Sequence, residues 1–196
     1  MGETTVLLHT CCAPCSSAII EALMQNGITP VIYYCNPNIY PQEEYEIRKE
    51  ECTRYAQALG LEIIDADYDH QHWLSCMEGL ENEPERGGRC LKCFKLRLLR
   101  TAEYARQRGI KVITTTLASS RWKSLEQINE AGIWACRTVG NSSQDTEKDT
   151  QDGEVVWWDQ NWRKGGLQER RLQIIKEYDF YNQQYCGCEF SMRTLQ

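Results

Sequence analysis

The sequence lacks any apolar run of the roughly 20 residues that a membrane-spanning helix needs. Its N-terminus also lacks the basic region, apolar stretch and small-residue cleavage site of a secretory signal peptide. We therefore expect a cytoplasmic protein with no membrane partner. An excess of positive charge is missing as well, since the net charge is −6. This balance argues against a non-specific polyanion binder, although a local basic strip can still bind nucleic acid.

Cysteine, by contrast, is abundant, with 11 residues in a chain of 196. In a reducing compartment this number favours metal ligation or catalytic thiol chemistry over a set of structural disulfides. The clustered cysteines are Cys11, Cys12 and Cys15, then Cys90 and Cys93, then Cys186 and Cys188. The isolated ones are interpreted as small hydrophobic side chains, at Cys35, Cys52, Cys76 and Cys136.

Short aliphatic and β-branched runs alternate with amphipathic stretches along most of the chain. The runs, which are typical of buried strands, cover residues 4–9, 29–35, 61–65 and 111–116. Apolar residues at helical spacing cover residues 13–26, 42–59, 90–107 and 124–136. The alternation predicts an α/β fold with a Rossmann-like parallel sheet and helices on both faces. In such sheets ligands lie beyond the carboxyl ends of the strands.

The composition changes twice along the chain, although we expect a single domain overall. Residues 1–139 carry the α/β pattern and are expected to form the core. Residues 140–153 are polar and rich in turn formers, which indicates a flexible insertion. Residues 154–196 are rich in aromatic residues, carry five basic residues against one acid between positions 160 and 176, and contain a CGC motif, so we expect them to pack on the core as a small C-terminal helical extension.

The first two cysteine clusters each lie where a helix is predicted to begin. Cys11 and Cys12 follow the first strand, where unpaired N–H groups and the helix dipole favour thiolates. Cys90 and Cys93 are on the first turn of a later helix, so their sulfur atoms can reach one metal or each other. Four thiolates can hold zinc or an iron–sulfur cluster. From the residues alone, a redox metal centre, structural zinc and metal-free thiol chemistry all stay open.

The third cluster favours the redox centre among these three. Cys186 and Cys188 are too close in sequence for an unstrained disulfide, and a strained disulfide is easily reduced. A labile redox couple has this property, so the pair suggests electron transfer.

Residues 67–73 (DYDHQHW) follow the third predicted strand and hold two of the three histidines. A His/Asp metal site is conceivable there. We interpret the segment instead as a loop with exposed, solvated histidines.

Several separated motifs, taken in order, resemble the cobalamin-independent epoxyqueuosine reductase family over nearly the whole chain. They are HTCCAPC (9–15), YCNPNI (34–39), DYD (67–69), CLKC (90–93), TTTL (114–117), NWRK (161–164) and YCGC (185–188). The resemblance implies a fold related to the PP-loop nucleotide-binding proteins. It also implies reduction of the epoxide of epoxyqueuosine in tRNA, the last step of queuosine biosynthesis.

The resemblance further implies cofactors and residue roles. The core would hold a [4Fe–4S] cluster and an additional mononuclear iron, and an unidentified donor would supply electrons. Carried over by motif, the cluster ligands are Cys11, Cys12, Cys90 and Cys93, and the redox-active pair is Cys186 with Cys188. Asp69 is the first choice as a ligand of the second iron, and Cys15 is the next. Independently of the resemblance, His9 or Tyr185 is expected to supply the protons for epoxide reduction.

A tRNA substrate implies that the enzyme accepts a single-stranded anticodon loop. Bases would stack on aromatic side chains, and arginines and lysines would contact phosphates. The residues expected to bind RNA are Trp162, Arg163, Lys164, Arg170 and Arg171. The alternative interpretation is that the tryptophan is part of the core and that the charges form a solvated helix face.

Two other functions compete with the reductase. A PP-loop ATP-dependent tRNA thiolase shares the expected fold, but it needs a glycine-rich phosphate loop after the first strand. Residues 10–15 (TCCAPC) contain no glycine, so this function is disfavoured. The third possibility is a zinc-stabilised RNA-binding module without catalytic activity.

Overall fold

The computed structural model describes residues 4–141 and 154–192. Within them, five parallel strands form one sheet in the order β3-β2-β1-β4-β5. The strands are β1 (Thr4–Thr10), β2 (Ile28–Tyr34), β3 (Ile63–Asp65), β4 (Val112–Thr115) and β5 (Val156–Trp157). The predicted α/β fold with a Rossmann-like parallel sheet is confirmed.

Helices connect and cover these strands. The longer ones are α1 (Ala13–Gln25), α2 (Gln42–Ala58), α4 (Gly88–Gln107), α5 (Leu125–Asn141) and α6 (Leu167–Glu177). The short ones are α3 (His70–Cys76) and α7 (Glu189–Met192), and a 3₁₀ turn covers Thr116–Ser119. Helix α4 packs against α5, and α6 packs against α1. No helix among the described residues is long and apolar enough to cross a membrane.

The core is centred on β1, which lies between β2 and β4. Leu7 is paired with Val31 of β2 and with Ile113 of β4, and all three side chains are buried. A strand that is covered on both faces needs apolar residues in succession rather than in alternation. This requirement explains why the first strand could be recognised from the consecutive aliphatic residues Val6, Leu7 and Leu8, which follow two β-branched threonines.

The predicted loop is confirmed at residues 67–69, and His72 is exposed as predicted, but the loop is wrong from His70 onward, where α3 begins. Asp69 is its N-cap and accepts a hydrogen bond from the His72 backbone N–H over 3.0 Å. His70 is 8% exposed rather than solvated, and its ring nitrogens contact Pro37 O at 2.7 Å and Glu189 Oε1 at 3.2 Å. This polar segment therefore forms a capped helical turn. Its first histidine, His70, is buried by contacts with residues that are distant in the sequence.

The C-terminal segment lies against the core where the structure describes it. Arg171 of α6 donates from Nε to the backbone oxygen of Pro14 over 2.8 Å. Gly140 and Asn141 form the end of α5, while residues 142–153 of the predicted insertion lie outside the described residues. The division into core, insertion and extension stays a prediction.

Glycine at position 132 of α5 permits close packing with β5. A Cβ atom there would lie 2.2 Å from Cδ2 of Trp157. We expect Gly132→Ala to lower the free energy of unfolding by about 1–3 kcal/mol through overpacking. Gly140→Ala in the same helix is the control, because a Cβ there meets nothing within 4 Å. Urea denaturation of both variants checks this, and equal stabilities would contradict the packing of Trp157 on α5.

Candidate metal and redox site

The carboxyl ends of the two central strands define the site. The sheet order reverses between β1 and β4, since β1 is followed along the chain by its neighbour β2 on the other side. Ligands of parallel α/β sheets lie in the crevice at such a reversal. Cys11 follows β1 there, and Thr116 follows β4. The backbone N–H of Cys11 donates to Thr116 Oγ1 over 3.2 Å, which joins the two strand ends.

Three sulfur atoms meet at the end of β1. The Sγ atoms of Cys11, Cys12 and Cys15, here called the thiol triad, all lie within 4.8 Å of one another. They converge because Cys12 is the N-cap of α1 and Cys15 lies in the first helical turn. Across residues 4–141 and 154–192, no other group of three or more potential ligand atoms is found at metal-binding spacing. The triad could therefore hold a metal.

Within the triad, the surroundings of the sulfur atoms favour a thiolate at Cys11 and thiols at Cys12 and Cys15. Hydrogen bonds from Cys12 and Cys15 hold the pKa of Cys11 well below its ordinary value, and the charge of Lys123 acts in the same direction. Burial raises the pKa of Cys12 well above its ordinary value. The hydrogen bond to Cys11 raises the pKa of Cys15 to about 12. Cys11 is thus the sulfur of this group that most readily acts as a nucleophile or ligand.

The other two cysteine clusters come close to each other in a second thiol group, formed by Cys90, Cys93, Cys186 and Cys188. Cys93 is buried and packs with Cys188 in one apolar cluster that includes Trp73. Burial raises the pKa of Cys90 and Cys93, and the charge of Cys186 adds to the shift. Burial likewise raises the pKa of Cys188 to about 12. All eleven cysteines are free thiols.

Two cations lie among the sulfur atoms. Lys123 Nζ is 3.5 Å from Cys186 Sγ. Arg97 is 2% exposed and donates to Asn36 Oδ1. Although burial opposes charge on both side chains, the sulfur charges of both thiol groups raise their pKa values above the ordinary ones. These cations stabilise negative charge on sulfur at this end of the sheet.

A cavity of about 800 Å³ opens beside the triad, with Cys11, Cys15 and Cys186 in its wall. Among the residues that the structure describes, one acid lines it, Glu85. The cations that line it are Arg48, Arg97, Arg121, Lys123, Arg163 and Arg171. The site is therefore strongly positive although the chain carries a net charge of −6.

The sequence-predicted ligands are divided between these two thiol groups. Cys11 and Cys12 belong to the triad together with Cys15, whereas Cys90 and Cys93 belong to the second thiol group. Asp69, the other residue predicted to bind a second iron, is exposed and uses its carboxylate to cap α3.

The predicted RNA-binding cations have different surroundings. Arg163 and Arg171 line the cavity. Arg170 instead forms ion pairs of 2.7 Å with Glu21 and Glu177. Lys164 is exposed.

Trp162, predicted to stack with a base, is 8% exposed and packs edge-on against Trp158 with ring centroids 5.6 Å apart. This environment is that of a core side chain. The stacking role of Trp162 stays a prediction, with little of its surface open to a partner.

His9 is fully buried and has two hydrogen-bond partners. Its Nε2–H donates to Cys35 O over 3.1 Å, and its Nδ1 accepts from the Thr115 hydroxyl over 2.7 Å. Burial, reinforced by the charge of Arg97, lowers the pKa of His9 to about 3. The ring is thus a neutral link between three strand ends, and its predicted role as a proton donor stays a prediction.

Tyr185, the other predicted proton donor, lines the cavity and donates its hydroxyl hydrogen to Tyr40 O. Burial raises the pKa of Tyr185 to about 12. Arg48 lies 5.2 Å from its ring centroid and donates from Nη1 to Cys186 O over 3.2 Å. These contacts fix the start of the CGC motif at the cavity wall.

Sequence reasoning missed Gln183, whose Nε2 lies 2.9 Å from Cys12 Sγ. A glutamine in a polar C-terminal segment carries no signal that it will meet a thiol near the N-terminus. Arg97 was also missed as a site residue. Its position four residues after Cys93, on the buried face of α4, was a usable signal.

Fold and site together define an α/β protein with a thiol-rich, positively charged centre suited to metal or redox chemistry. The sequence profile described as Epoxyqueuosine reductase QueH matches residues 6–194. Curated relatives with that name include one from Histophilus somni, 46% identical over 98% of this chain and 74% of the relative. The relative from Haemophilus influenzae is also 46% identical, over 98% and 73% of the two chains. The one from Acinetobacter baylyi is 45% identical over 96% and 80%.

The chain therefore belongs to the epoxyqueuosine reductase QueH family, and the resemblance seen in its motifs is confirmed. Epoxyqueuosine reductases are oxidoreductases by the reaction that their name states.

Proposed function

We propose that this chain reduces the epoxide of epoxyqueuosine in tRNA to the cyclopentene of queuosine, the last step of queuosine biosynthesis. The observation that carries the proposal is the positively charged, thiol-lined cavity at the strand reversal of a QueH-family chain. The reaction breaks two C–O bonds, consumes two electrons and two protons, and releases the oxygen as water. A tRNA substrate is also consistent with the expected cytoplasmic location.

The donor set fits the proposed iron sites. Iron–sulfur clusters are held by cysteine thiolates, and the site offers clustered thiols, a thiolate favoured at Cys11 and cations that stabilise negative charge on sulfur. We propose Cys11, Cys12, Cys90 and Cys93 as ligands of a [4Fe–4S] cluster. For an additional mononuclear iron, the place of Cys15 in the triad supports it over Asp69. When bound, such groups supply single electrons and Lewis acidity.

Cys186 and Cys188 are proposed as the redox-active pair. Oxidation of two thiols to one disulfide releases two electrons and two protons, which equals what the epoxide consumes. An external electron donor would then reduce the disulfide. Gly187 between them has φ +111°, and a Cβ there would lie 2.9 Å from Ile39 Cγ1. Glycine therefore lets this turn lie close against the cavity wall.

Substrate binding is proposed to use polar atoms that have no partner within the described part of the chain. Asn38 Oδ1 and Gln183 Oε1 are buried, lack hydrogen-bond partners there, and belong to residues that line the cavity. Each can accept a hydrogen bond from a substrate hydroxyl or amine group. The lining arginines would bind the RNA phosphates. Tyr185, which lines the cavity, is better placed than His9 to deliver a proton.

The role of Asn38 can be tested by truncation. We expect Asn38→Ala to lower kcat/KM about two- to tenfold, since one hydrogen bond contributes about 0.5–1.5 kcal/mol. Ser17→Ala is the control, because Ser17 Oγ is also buried without a partner among the described residues but does not line the cavity. The kcat/KM of both variants is measured by steady-state kinetics on epoxyqueuosine tRNA. Equal kcat/KM values for the two variants would exclude Asn38 from substrate binding.

The reductase function itself is tested by anaerobic incubation of the wild-type protein with epoxyqueuosine tRNA and a chemical reductant. Mass spectrometry of the released nucleosides should show loss of one oxygen. A colourless, iron-free preparation that binds RNA without converting the nucleoside would favour the zinc-stabilised module instead. Incorporation of sulfur in the presence of ATP would favour a thiolase.

A further inference from the structure

Trp122 is the most exposed large hydrophobic side chain among the described residues, at 67%. It lines the cavity, and the guanidinium carbon of Arg121 lies 5.1 Å from its ring centroid. A single exposed apolar side chain is ordinary in itself. Its place on the rim of a cationic cavity, with an arginine at its ring, makes it a candidate for contact with a ligand.

The loop that carries Trp122 is held by two arginines. Arg163 Nη2 donates to the backbone oxygens of Ser120 and Lys123, the latter over 2.7 Å. Arg86 donates to the intervening oxygens of Arg121 and Trp122, each over 2.9 Å. Four consecutive carbonyl groups thus accept hydrogen bonds from charged side chains. The loop is fixed before any partner arrives, which lowers the entropy cost of binding.

The same loop is joined to the sulfur atoms of the site. The backbone N–H of Arg86 donates to Cys90 Sγ over 3.3 Å. Lys123, the next residue after Trp122, places Nζ 3.5 Å from Cys186 Sγ. These contacts fix the position of the Trp122 loop relative to the thiols of Cys90 and Cys186, while the indole ring is exposed to solvent.

We propose that Trp122 is a stacking platform for one base of the RNA loop, next to the nucleoside that reacts. This inference rests on the proposed function. Single-stranded RNA is recognised through bases that stack on aromatic rings and through phosphates that contact cations. Within residues 4–141 and 154–192, six cations and one acid line the cavity, and Trp122 offers an open ring at its rim. The aromatic residues predicted from sequence did not include it.

The test measures RNA affinity, so that it does not depend on turnover. A fluorescent anticodon stem–loop RNA with guanosine at the wobble position is titrated with anaerobically purified protein. Trp122→Ala should weaken binding about 5- to 150-fold, which is the range for loss of one base–aromatic stack. Trp122→Phe should stay within about threefold of wild type, because a smaller ring can still stack. The matched control is Trp134→Ala, since Trp134 is 38% exposed but does not line the cavity.

Two further RNAs, each abasic on one side of the wobble position, complete a double-mutant cycle. On one of them the loss caused by Trp122→Ala should shrink to less than about twofold, because the stacked base is already gone. An undiminished loss on both abasic RNAs would overturn the proposal. So would a Trp122→Ala affinity equal to that of Trp134→Ala.

A protein partner at Trp122 would give a different result. Unchanged RNA affinity with a slower rate at limiting electron donor would assign the surface to that donor and overturn the RNA platform. Failure of the reductase function would instead appear as absence of turnover by the wild-type protein, whereas the affinity measurements would still decide the role of Trp122.

Discussion

Alanine in place of Cys12 is expected to slow reduction of epoxyqueuosine in tRNA by about a thousandfold or more, as for loss of one member of a group that acts as a unit. Cys12 is 1% exposed, belongs to the thiol triad and is a proposed cluster ligand. Its removal should also lower the iron and sulfide bound per chain. Single-turnover assays with excess enzyme measure the rate, and chemical analysis of the same samples measures the metal.

Cys136→Ala is the control for this variant. Cys136 is a buried cysteine in α5 that belongs to neither thiol group, so its replacement leaves only a small cavity. It should keep wild-type iron content and rate. Wild-type iron and activity in Cys12→Ala would remove Cys12 from the ligand set.

Serine at either position of the CGC motif is expected to separate electron supply from cluster binding. We expect Cys186→Ser and Cys188→Ser to keep the iron but to lose about a hundredfold or more in multiple-turnover rate, a cost similar to that of a lost proton-transfer group. A hydroxyl group cannot form the disulfide that releases two electrons and two protons. Steady-state assays with a thiol reductant, compared with metal analysis, check both parts.

Cys76→Ser is the matched control for the CGC variants. Cys76 packs against the same apolar cluster as Cys188 but lies outside the motif. Its replacement should leave turnover near the wild-type rate. If the CGC variants also turned over at the wild-type rate, Cys186 and Cys188 would have no redox role. If these variants lost iron, the two cysteines would instead be metal ligands.

The main features of the fold could be predicted from the sequence because the sheet is parallel and covered. Strands buried on both faces need apolar residues in succession, such as Val6, Leu7 and Leu8 in β1, and helices between them need apolar residues at a spacing of about 3.6. Both signals are local. The short β5 strand was not predicted, because a strand of two residues, Val156 and Trp157, is too short to show an alternating pattern of apolar and polar residues.

In the candidate site, the sequence predicted the cysteine clusters and three residues that line the cavity, Arg163, Arg171 and Tyr185. Close spacing in sequence identified the triad, because Cys12 and Cys15 share the first turn of one helix. The second thiol group joins cysteines that are 93 to 98 positions apart. The two arginines that hold the Trp122 loop act over 35 to 43 positions. No local sequence pattern predicts such long-range contacts. Likewise, the sequence around a tryptophan does not show how exposed its side chain is. Trp162 is buried, whereas Trp122 is exposed.

The thiols at the β1 strand end are proposed to hold the redox centre that reduces epoxyqueuosine. This proposal is tested by single-turnover conversion of epoxyqueuosine tRNA by anaerobic preparations whose iron and sulfide contents differ. We expect the fraction of active protein to rise in proportion to the iron and sulfide bound per chain. Equal conversion by iron-free protein, or no conversion by fully loaded protein, would contradict the claim.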